Sequence, residues 1–146
     1  MSKQINVLNH SCNSEASIYT VISGSFRKHL SHIIILKRAL EEHKICVLSP
    51  SGNYALNPED EFIFLDSDII NHPRVLQDSV FAKIRRSSFL VVANINEYLG
   101  KAAIMEIGYA IALGIPIYSL FPIKDPNLEP YCSLLTDIIP SLKKIL

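Results

Sequence analysis

The sequence predicts an α/β protein with a flavodoxin-like or Rossmann-like fold. We expect a doubly wound parallel sheet of four to five strands with helices on both faces. Short strands that are apolar throughout alternate with amphipathic helices, which is typical of a parallel sheet covered on both sides. The chain has 146 residues, the length of a single domain, and its 49% hydrophobic and 19% charged residues indicate a globular protein with a sizeable core.

The first third of the chain contains two of the predicted strands. Residues 1–16 are polar and rich in turn formers, and they predict an irregular arm before one domain at residues 17–146. The first strand is predicted in "SIYTVIS", which is β-branched and aromatic and is bounded by Gly24. A helix follows in "SFRKHLSHIIILKRALEEH", where apolar residues recur at helical spacing. The second strand is "ICVLSP", which Pro50 stops.

The middle of the chain begins with an insert, residues 51–71, that has no sustained periodicity. Its segment "EFIFL" could form a short strand, and irregular inserts of this length in a compact domain are often functional. A helix is predicted in "HPRVLQDSVFAKIRRS", with Pro73 in its first turn. The third buried strand is "FLVVAN".

The last third contains the most apolar segment of the chain. A helix is predicted from Lys101 to Leu113, with Gly114 as its stop signal, and the fourth strand is "IPIYSLF". The charge at Glu106 and the Gly-Ile-Pro interruption argue against a membrane span in this segment. Residues 128–146 predict one or two final helices, broken at Pro140.

Charge and cysteine content exclude several classes of function. Lys plus Arg and Asp plus Glu number 14 each, and no basic tail occurs, so binding to a nucleic-acid polymer is not expected. The three cysteines and five histidines lack the spacing of metal or redox sites. We therefore expect no metal and no cofactor. The N-terminus lacks the apolar segment of a signal peptide, and a cytoplasmic location is predicted.

In a doubly wound sheet, ligands bind at the carboxyl ends of the strands. Three loops follow predicted strands and therefore qualify: Ser23–Arg27, Ser49–Gly52 and Ala93–Lys101. In the first loop, Gly24 permits a tight turn and Ser25 stands at a helix N-cap position. The backbone N–H groups of such a turn, together with Arg27, would hold an anion such as a phosphate. An ordinary capped helix with a solvated arginine remains the alternative.

Glu106 is the most informative acid in the sequence. At helical spacing it shares one side of its helix with small and apolar residues: Ala102, Tyr109, Ala110 and Leu113. Burial in such surroundings raises the pKa of a carboxyl group, which is common at catalytic sites. An acid near a helix N-terminus is also favourable to the helix dipole, so a structural role remains open.

Three stretches together resemble the nucleoside 2-deoxyribosyltransferase family, including the deoxynucleotide N-hydrolases. They are "SGSFRKH", "VLSPSG" and "SFLVVANINEYLGKAAIMEIGYAIALGIPIY", and the similarity covers roughly residues 17–123. The resemblance implies cleavage of the N-glycosidic bond of a small-molecule nucleoside or nucleotide. It implies that Glu106 is the nucleophile and that Gly24, Ser25, Phe26 and Arg27 bind a 5′-phosphate.

The resemblance also has implications beyond these two features. The N-hydrolases carry an aspartate at the position of Phe81, so Asp78, one turn earlier, becomes the second candidate for a catalytic role. Val21 stands at the position of a family tyrosine, and Ala102 and Ala103 stand where hydroxyl residues are common. Further substrate-binding residues are expected at Ser23, Asn94, Tyr98 and Gly100. Asp66 in the irregular insert is a further candidate for substrate binding, with a role as a turn former as the alternative.

The missing partner residues keep other functions open. One alternative is a nucleotide- or nucleobase-binding module of the same fold without turnover, and another is a purely structural interaction domain. The family analogy implies a homodimer or a larger assembly in which a neighbouring chain completes each site.

Overall fold

The structure, a computed structural model, describes residues 18–146. Five strands form one all-parallel sheet in the order β2-β1-β3-β4-β5, which confirms the predicted fold class. The strands are β1 (Ile18–Gly24), β2 (Ile45–Ser49), β3 (Phe89–Ala93), β4 (Ile117–Ser119) and β5 (Cys132–Leu134). The helices are α1 (Phe26–Glu42), α2 (Pro73–Arg85), α3 (Lys101–Leu113) and α4 (Leu135–Ile138). Short 3-10 turns occur at Ile95–Glu97, Glu129–Tyr131 and Pro140–Lys144. The predicted N-terminal arm lies outside the described residues.

The sheet has a separate apolar core on each face. Successive strand residues point to opposite faces, so Ile22 packs beneath α1 while its neighbour Val21 packs beneath α2 and α3. The α1 side also buries Ile33, Leu36, Leu40, Val91 and Leu135, whereas the other side buries Ile84, Leu90, Val92, Ile107 and Ala110. Each such Ile or Leu contributes roughly 1.5–3 kcal/mol on burial, and the two clusters therefore hold the helices firmly against the sheet.

The candidate site lies at the point where the strand order of the sheet reverses. β1 lies between β2 and β3, and Gly24 pairs with Ala93 at the carboxyl ends of β1 and β3. The chain continues from β1 into α1 on one face and from β3 into α3 on the other. This divergence opens a crevice between the two loops, the usual ligand site of such sheets. Ser23, at the end of β1, lies two residues after Val21, so its side chain points to the same face of the sheet, toward α3.

The prediction of one or two helices after residue 128 is wrong in part. This segment contains β5, which pairs with β4 through Ile117 and Cys132, and only short helical pieces follow it. A three-residue edge strand takes its conformation from its neighbour, and propensity alone does not reveal it. Pro130 and Pro140 further prevent a continuous helix.

Two other strand predictions also need correction. The fourth strand is shorter than "IPIYSLF", because the backbone of Phe121 bonds to the side chain of Asn94 instead of to a neighbouring strand. The segment "EFIFL" does not form a strand. It contributes Leu65 to one isolated antiparallel bridge with Ala55.

Two searches of the described part of the chain bear on membranes and metals. None of its helices is both long enough and apolar enough to cross a bilayer. Within residues 18–146, no three His, Cys, Asp or Glu side chains are grouped as a metal site requires. The cytoplasmic location stays a prediction.

Candidate functional site

Glu106 joins three elements of the fold through its carboxylate. Ser23 at the end of β1 donates its hydroxyl hydrogen to Oε1 at 2.7 Å, and Gln77 on α2 donates its amide hydrogen to Oε2 at 2.8 Å. The side chain is only 7% exposed. The buried position predicted from the small and apolar residues around it is therefore confirmed.

The electrostatic environment of Glu106 is unusual for a buried acid. Burial raises the pKa of its carboxyl group, and the hydrogen bonds from Gln77 and Ser23 lower it in part. Neither donor carries a charge, and the structure gives Glu106 no ion pair with any residue in the described range 18–146. A desolvated carboxyl group with a perturbed pKa beside a strand end is a candidate functional group.

The Glu106 carboxylate lies in the contact between α2 and α3, which is called the seam below. Gln77, Phe81 and Arg85 follow one another at intervals of four residues and face α3. The rings of Phe81 and Tyr109 contact each other at an interplanar angle of 38° with centroids 4.7 Å apart, and Arg85 donates to the Tyr109 hydroxyl. Phe81, where the sequence resemblance leads to the expectation of an aspartate, thus makes an apolar contact in this seam. The polar partner supplied by α2 is Gln77.

The turn between β1 and α1 has the predicted helix cap. The Ser25 hydroxyl accepts the backbone N–H of Lys28 at 3.2 Å, which confirms Ser25 as the N-cap of α1. Gly24 fits this close approach, since a Cβ atom here would lie 3.1 Å from both Ala93 Cβ and Ile33 Cδ1 and would crowd them. This close approach brings the ends of β1 and β3 together.

Two neighbouring side chains of this turn point in different directions. Phe26 is partly buried and packs into the core beneath α1. Arg27 is exposed, and its guanidinium makes no ion pair with the described residues. The helix N-terminus and Arg27 therefore present positive charge at the end of β1, as an anion site requires.

Tyr98 connects the loop after β3 to the first turn of α1. Lys28 places its Nζ atom 3.7 Å above the Tyr98 ring centroid, and the ring of His29 meets Tyr98 edge-on at 6.4 Å. A cation–π contact of this kind contributes about 0.5–1 kcal/mol at an exposed site. Gly100, the N-cap residue of α3, lies beside the same ring. The contacts of Tyr98 thus span the crevice.

His29 is the second buried titratable group near the crevice. Its Nδ1 atom has no hydrogen-bond partner among the described residues. Burial, followed by the nearby His32 and Lys28, lowers the pKa of His29. These surroundings therefore favour the neutral form of the imidazole.

Asp78 lies apart from this group. Its side chain is 64% exposed and approaches Arg74 on its own helix at 3.8 Å. A step of one residue turns a helical side chain by about 100°, so Asp78 diverges from Gln77, which contacts Glu106. The predicted catalytic role of Asp78 stays a prediction, and the side chain of α2 that reaches Glu106 is its neighbour.

Asp66 and Asn94 hold backbone groups in place. Asp66 Oδ1 accepts the N–H groups of Asn53 at 2.7 Å and Tyr54 at 3.1 Å, and these bonds lower the pKa of its carboxyl group. Asn94 donates to the carbonyl oxygen of Phe121 and accepts the N–H of the same residue. Both side chains thus order loops at the carboxyl edge of the sheet, and their predicted contacts with substrate stay predictions.

A cavity of about 410 Å³ lies beside the carboxyl ends of β3 and β4. It is lined by Ile95, Asn96, Glu97, Phe121, Pro122 and Lys124. An ion pair between Lys124 and Glu97, with 2.6 Å between Nζ and Oε1, crosses its lining. The cavity contains neither Glu106 nor Arg27, so it is separate from the group around Glu106.

Gln77 is the functional candidate that the sequence did not reveal. The signal was weak. Gln77 lies four residues before Phe81 and seven before the fully buried Ile84, which places it on the inner side of α2.

Comparison of the chain with models of protein families, with curated proteins and with solved structures finds no match in any of the three. The features that bear on function are therefore the side chains around Glu106 and the turn that carries Arg27.

Proposed function

We propose that the protein cleaves the N-glycosidic bond of a nucleoside or nucleotide, with Glu106 as the nucleophile. The observation that carries this proposal is the buried Glu106 carboxylate, held by two neutral donors at the carboxyl end of β1. The family resemblance supports the same role. Hydrolysis is favoured over transfer of the base to another sugar, because Arg27 suits a phosphorylated substrate.

The proposed reaction has two steps. Glu106 Oε2 attacks the anomeric carbon, the base departs with the electron pair of the C–N bond, and a glycosyl ester forms. Water then attacks the anomeric carbon and releases the sugar and the carboxylate, and the proton that the water loses balances the proton that a neutral base takes up as it leaves. Ser23 keeps its hydrogen bond to Oε1 throughout and fixes the direction of Oε2. Burial excludes competing water from the carboxylate, which strengthens its electrostatic interaction with the developing positive charge of the sugar.

The Gly24–Arg27 turn would hold the phosphate of a nucleotide. Its support is the exposed Arg27 guanidinium beside the N-terminus of a 17-residue helix. The Ser25 hydroxyl already accepts the N–H of Lys28, so the contribution of Ser25 to an anion would come from its own backbone N–H. A phosphate bound here would orient the sugar relative to Glu106.

The experiment is a panel of nucleosides and their 5′-phosphates, each with ribose and with deoxyribose, assayed for free base by chromatography. We expect base release by the wild type and a loss of at least about a thousandfold in Glu106→Gln, as for removal of a nucleophile. Release at equal rates by the two proteins would overturn the assignment of Glu106. Absence of release from every member would overturn the enzymatic function.

A nucleotide-binding module without turnover is the second candidate. It is favoured by the engagement of both Glu106 oxygens with Ser23 and Gln77, which leaves the carboxylate in a satisfied resting position. In this case nucleotides would raise the unfolding temperature, because a ligand that binds only the folded state stabilises it. Stabilisation without any base release distinguishes this function from catalysis.

We further propose a homodimer in which α3 packs against the same helix of a second copy. The support is the outer side of α3, which is exposed and apolar: Ile104, Met105, Gly108 and Ala112. An added Cβ at Gly108 would meet no atom within 4 Å, so another chain can approach closely there. Light scattering after size exclusion tests this, and Met105→Glu is expected to shift a dimer to monomer. A monomeric wild type would contradict it.

A further inference from the structure

Among residues 18–146, the side chains that contact Glu106 include no acid that could protonate a departing base. Gln77 and Ser23 are neutral groups that keep their protons at physiological pH, and their hydrogen bonds already point at the carboxylate. At the other end of the seam, Tyr109 is engaged by Arg85. Asp78 is turned to solvent beside Arg74. Among the described residues, no acid is therefore placed beside Glu106.

When Glu106 is ionised, its negative charge has no countercharge among residues 18–146. The acidic side chains that do form ion pairs in the described range have Lys or Arg partners within 4.0 Å, whereas the contacts of Glu106 are with uncharged groups. An ionised carboxylate out of water is costly unless a positive charge lies beside it. A ligand that brings its own positive charge would meet that requirement.

From these two observations we propose that the substrates of this site carry a cationic base, as in 7-alkylpurine or pyridinium nucleosides and nucleotides. Gln77 is then a positioning residue that orients Glu106 Oε2 toward the anomeric carbon. This inference rests on the proposed function, since it names the substrate class of the same site. A cationic base pairs with the carboxylate on binding and needs no proton to leave.

The atoms and charges of the step balance without an acid. The bond from Glu106 Oε2 to the anomeric carbon forms as the C–N bond breaks, and its electron pair neutralises the positive ring. The base leaves as a neutral molecule. Water then attacks the anomeric carbon, the carboxylate is released, and one proton passes to solvent for each turnover. A neutral base would instead need to take up a proton as it leaves.

The test uses matched pairs that differ in one methyl group and one charge. 7-Methylguanosine and guanosine are compared as nucleosides and as 5′-phosphates, in the ribose and deoxyribose forms, with each rate divided by the spontaneous rate of the same compound. General acids typically contribute 10²–10⁴-fold. We therefore expect kcat/KM to be at least about a hundredfold higher for the cationic member of each pair. The enzymatic rate divided by the spontaneous rate should be no lower for the cationic member than for the neutral member.

Two further measurements separate the explanations. Nicotinamide mononucleotide, whose ring charge does not titrate, should show no fall in rate at alkaline pH and should release one proton for each base. In Glu106→Gln, binding of this compound should weaken by about tenfold more than binding of its neutral dihydro form, since only the oxidised form loses a charge pair.

The outcomes distinguish this inference from the function on which it rests. Preference for the neutral bases, or an alkaline fall in the rate of neutral substrates that reports a protein acid, would overturn the inference and leave the N-glycosidase function standing. Release of no base from either member would overturn the function, and the inference with it.

Discussion

Glu106 on α3 and Glu41 near the end of α1 are both acids whose pKa is raised by burial. Their surroundings differ. Glu41 lies 4.0 Å from the Nζ atom of Lys37, and this ammonium and Arg38 lower the pKa of Glu41 in part. Among the residues that the structure describes, Glu106 receives hydrogen bonds from Gln77 and Ser23, neither of which is charged.

The difference separates a structural acid from a candidate functional one. Lys37 is itself buried, with 7% exposure, and burial lowers its pKa, so Glu41 supplies the countercharge that this ammonium needs. The charge of Glu41 thus has an explanation within the fold. Burial of the Glu106 carboxyl group is unfavourable for folding, and no charged partner among the described residues offsets it. Buried acids without a charged partner persist where function requires them.

The largest expected difference between these two acids is in base release. Glu106→Gln should reduce kcat/KM by at least about a thousandfold, because the amide cannot form the glycosyl ester. Glu41→Gln is the matched control on α1, and its rate should stay within about threefold of the wild type, since it acts only on local packing and charge. Chromatographic assay of free base measures both. Equal losses in the two variants would mean that Glu106 acts through general destabilisation.

The next effect concerns the donor on α2. Gln77→Ala should reduce kcat/KM by about tenfold, as loss of one orienting hydrogen bond of about 1.5 kcal/mol predicts. Because that bond lowers the pKa of Glu106, its loss should also move the acid limb of the pH–rate profile to higher pH. The control is Phe81→Leu, which alters the same seam without removing a donor. An unmoved acid limb in Gln77→Ala would show that Gln77 has only a packing role.

Local patterns in the sequence were sufficient for the fold and for part of the site. The alternation of apolar strands with amphipathic helices predicts the sheet, and Ser25 after Gly24 predicts the cap of α1. The burial of Glu106 follows from the small and apolar residues at helical spacing around it. Each of these features depends on neighbours within a few residues, where side-chain periodicity is informative.

The remaining features depend on distant residues. The contacts of Glu106 with Ser23 and Gln77 span 83 and 29 residues of sequence, and no local pattern selects Gln77 over its neighbour Asp78. The contact between Lys28 and Tyr98 likewise arises only when the β1 and β3 loops meet. No local pattern predicts β5 for a related reason, because a three-residue strand is specified by the edge it pairs with.

The smallest effect is on stability and its pH dependence. An acid whose pKa is raised in the folded state does not lower the free energy of unfolding while the pH is below its ordinary pKa, which is 4.5 for Glu106. As pH rises above that value the unfolded chain ionises first, so the folded state loses stability until pH passes the raised folded pKa. Glu106→Gln should therefore be more stable than the wild type at neutral pH, by about 1 kcal/mol, and equal to it in acid.

Glu41→Gln provides the contrast in the same measurement. Neutralising Glu41 removes a similar cost but also leaves the buried Lys37 ammonium without its partner. The two effects offset each other, so we expect a change within about 0.5 kcal/mol at neutral pH. Urea unfolding of the three proteins across acidic and neutral pH measures this directly. If Glu106→Gln loses stability at neutral pH, the Glu106 charge contributes to folding, and the distinction between the two acids fails.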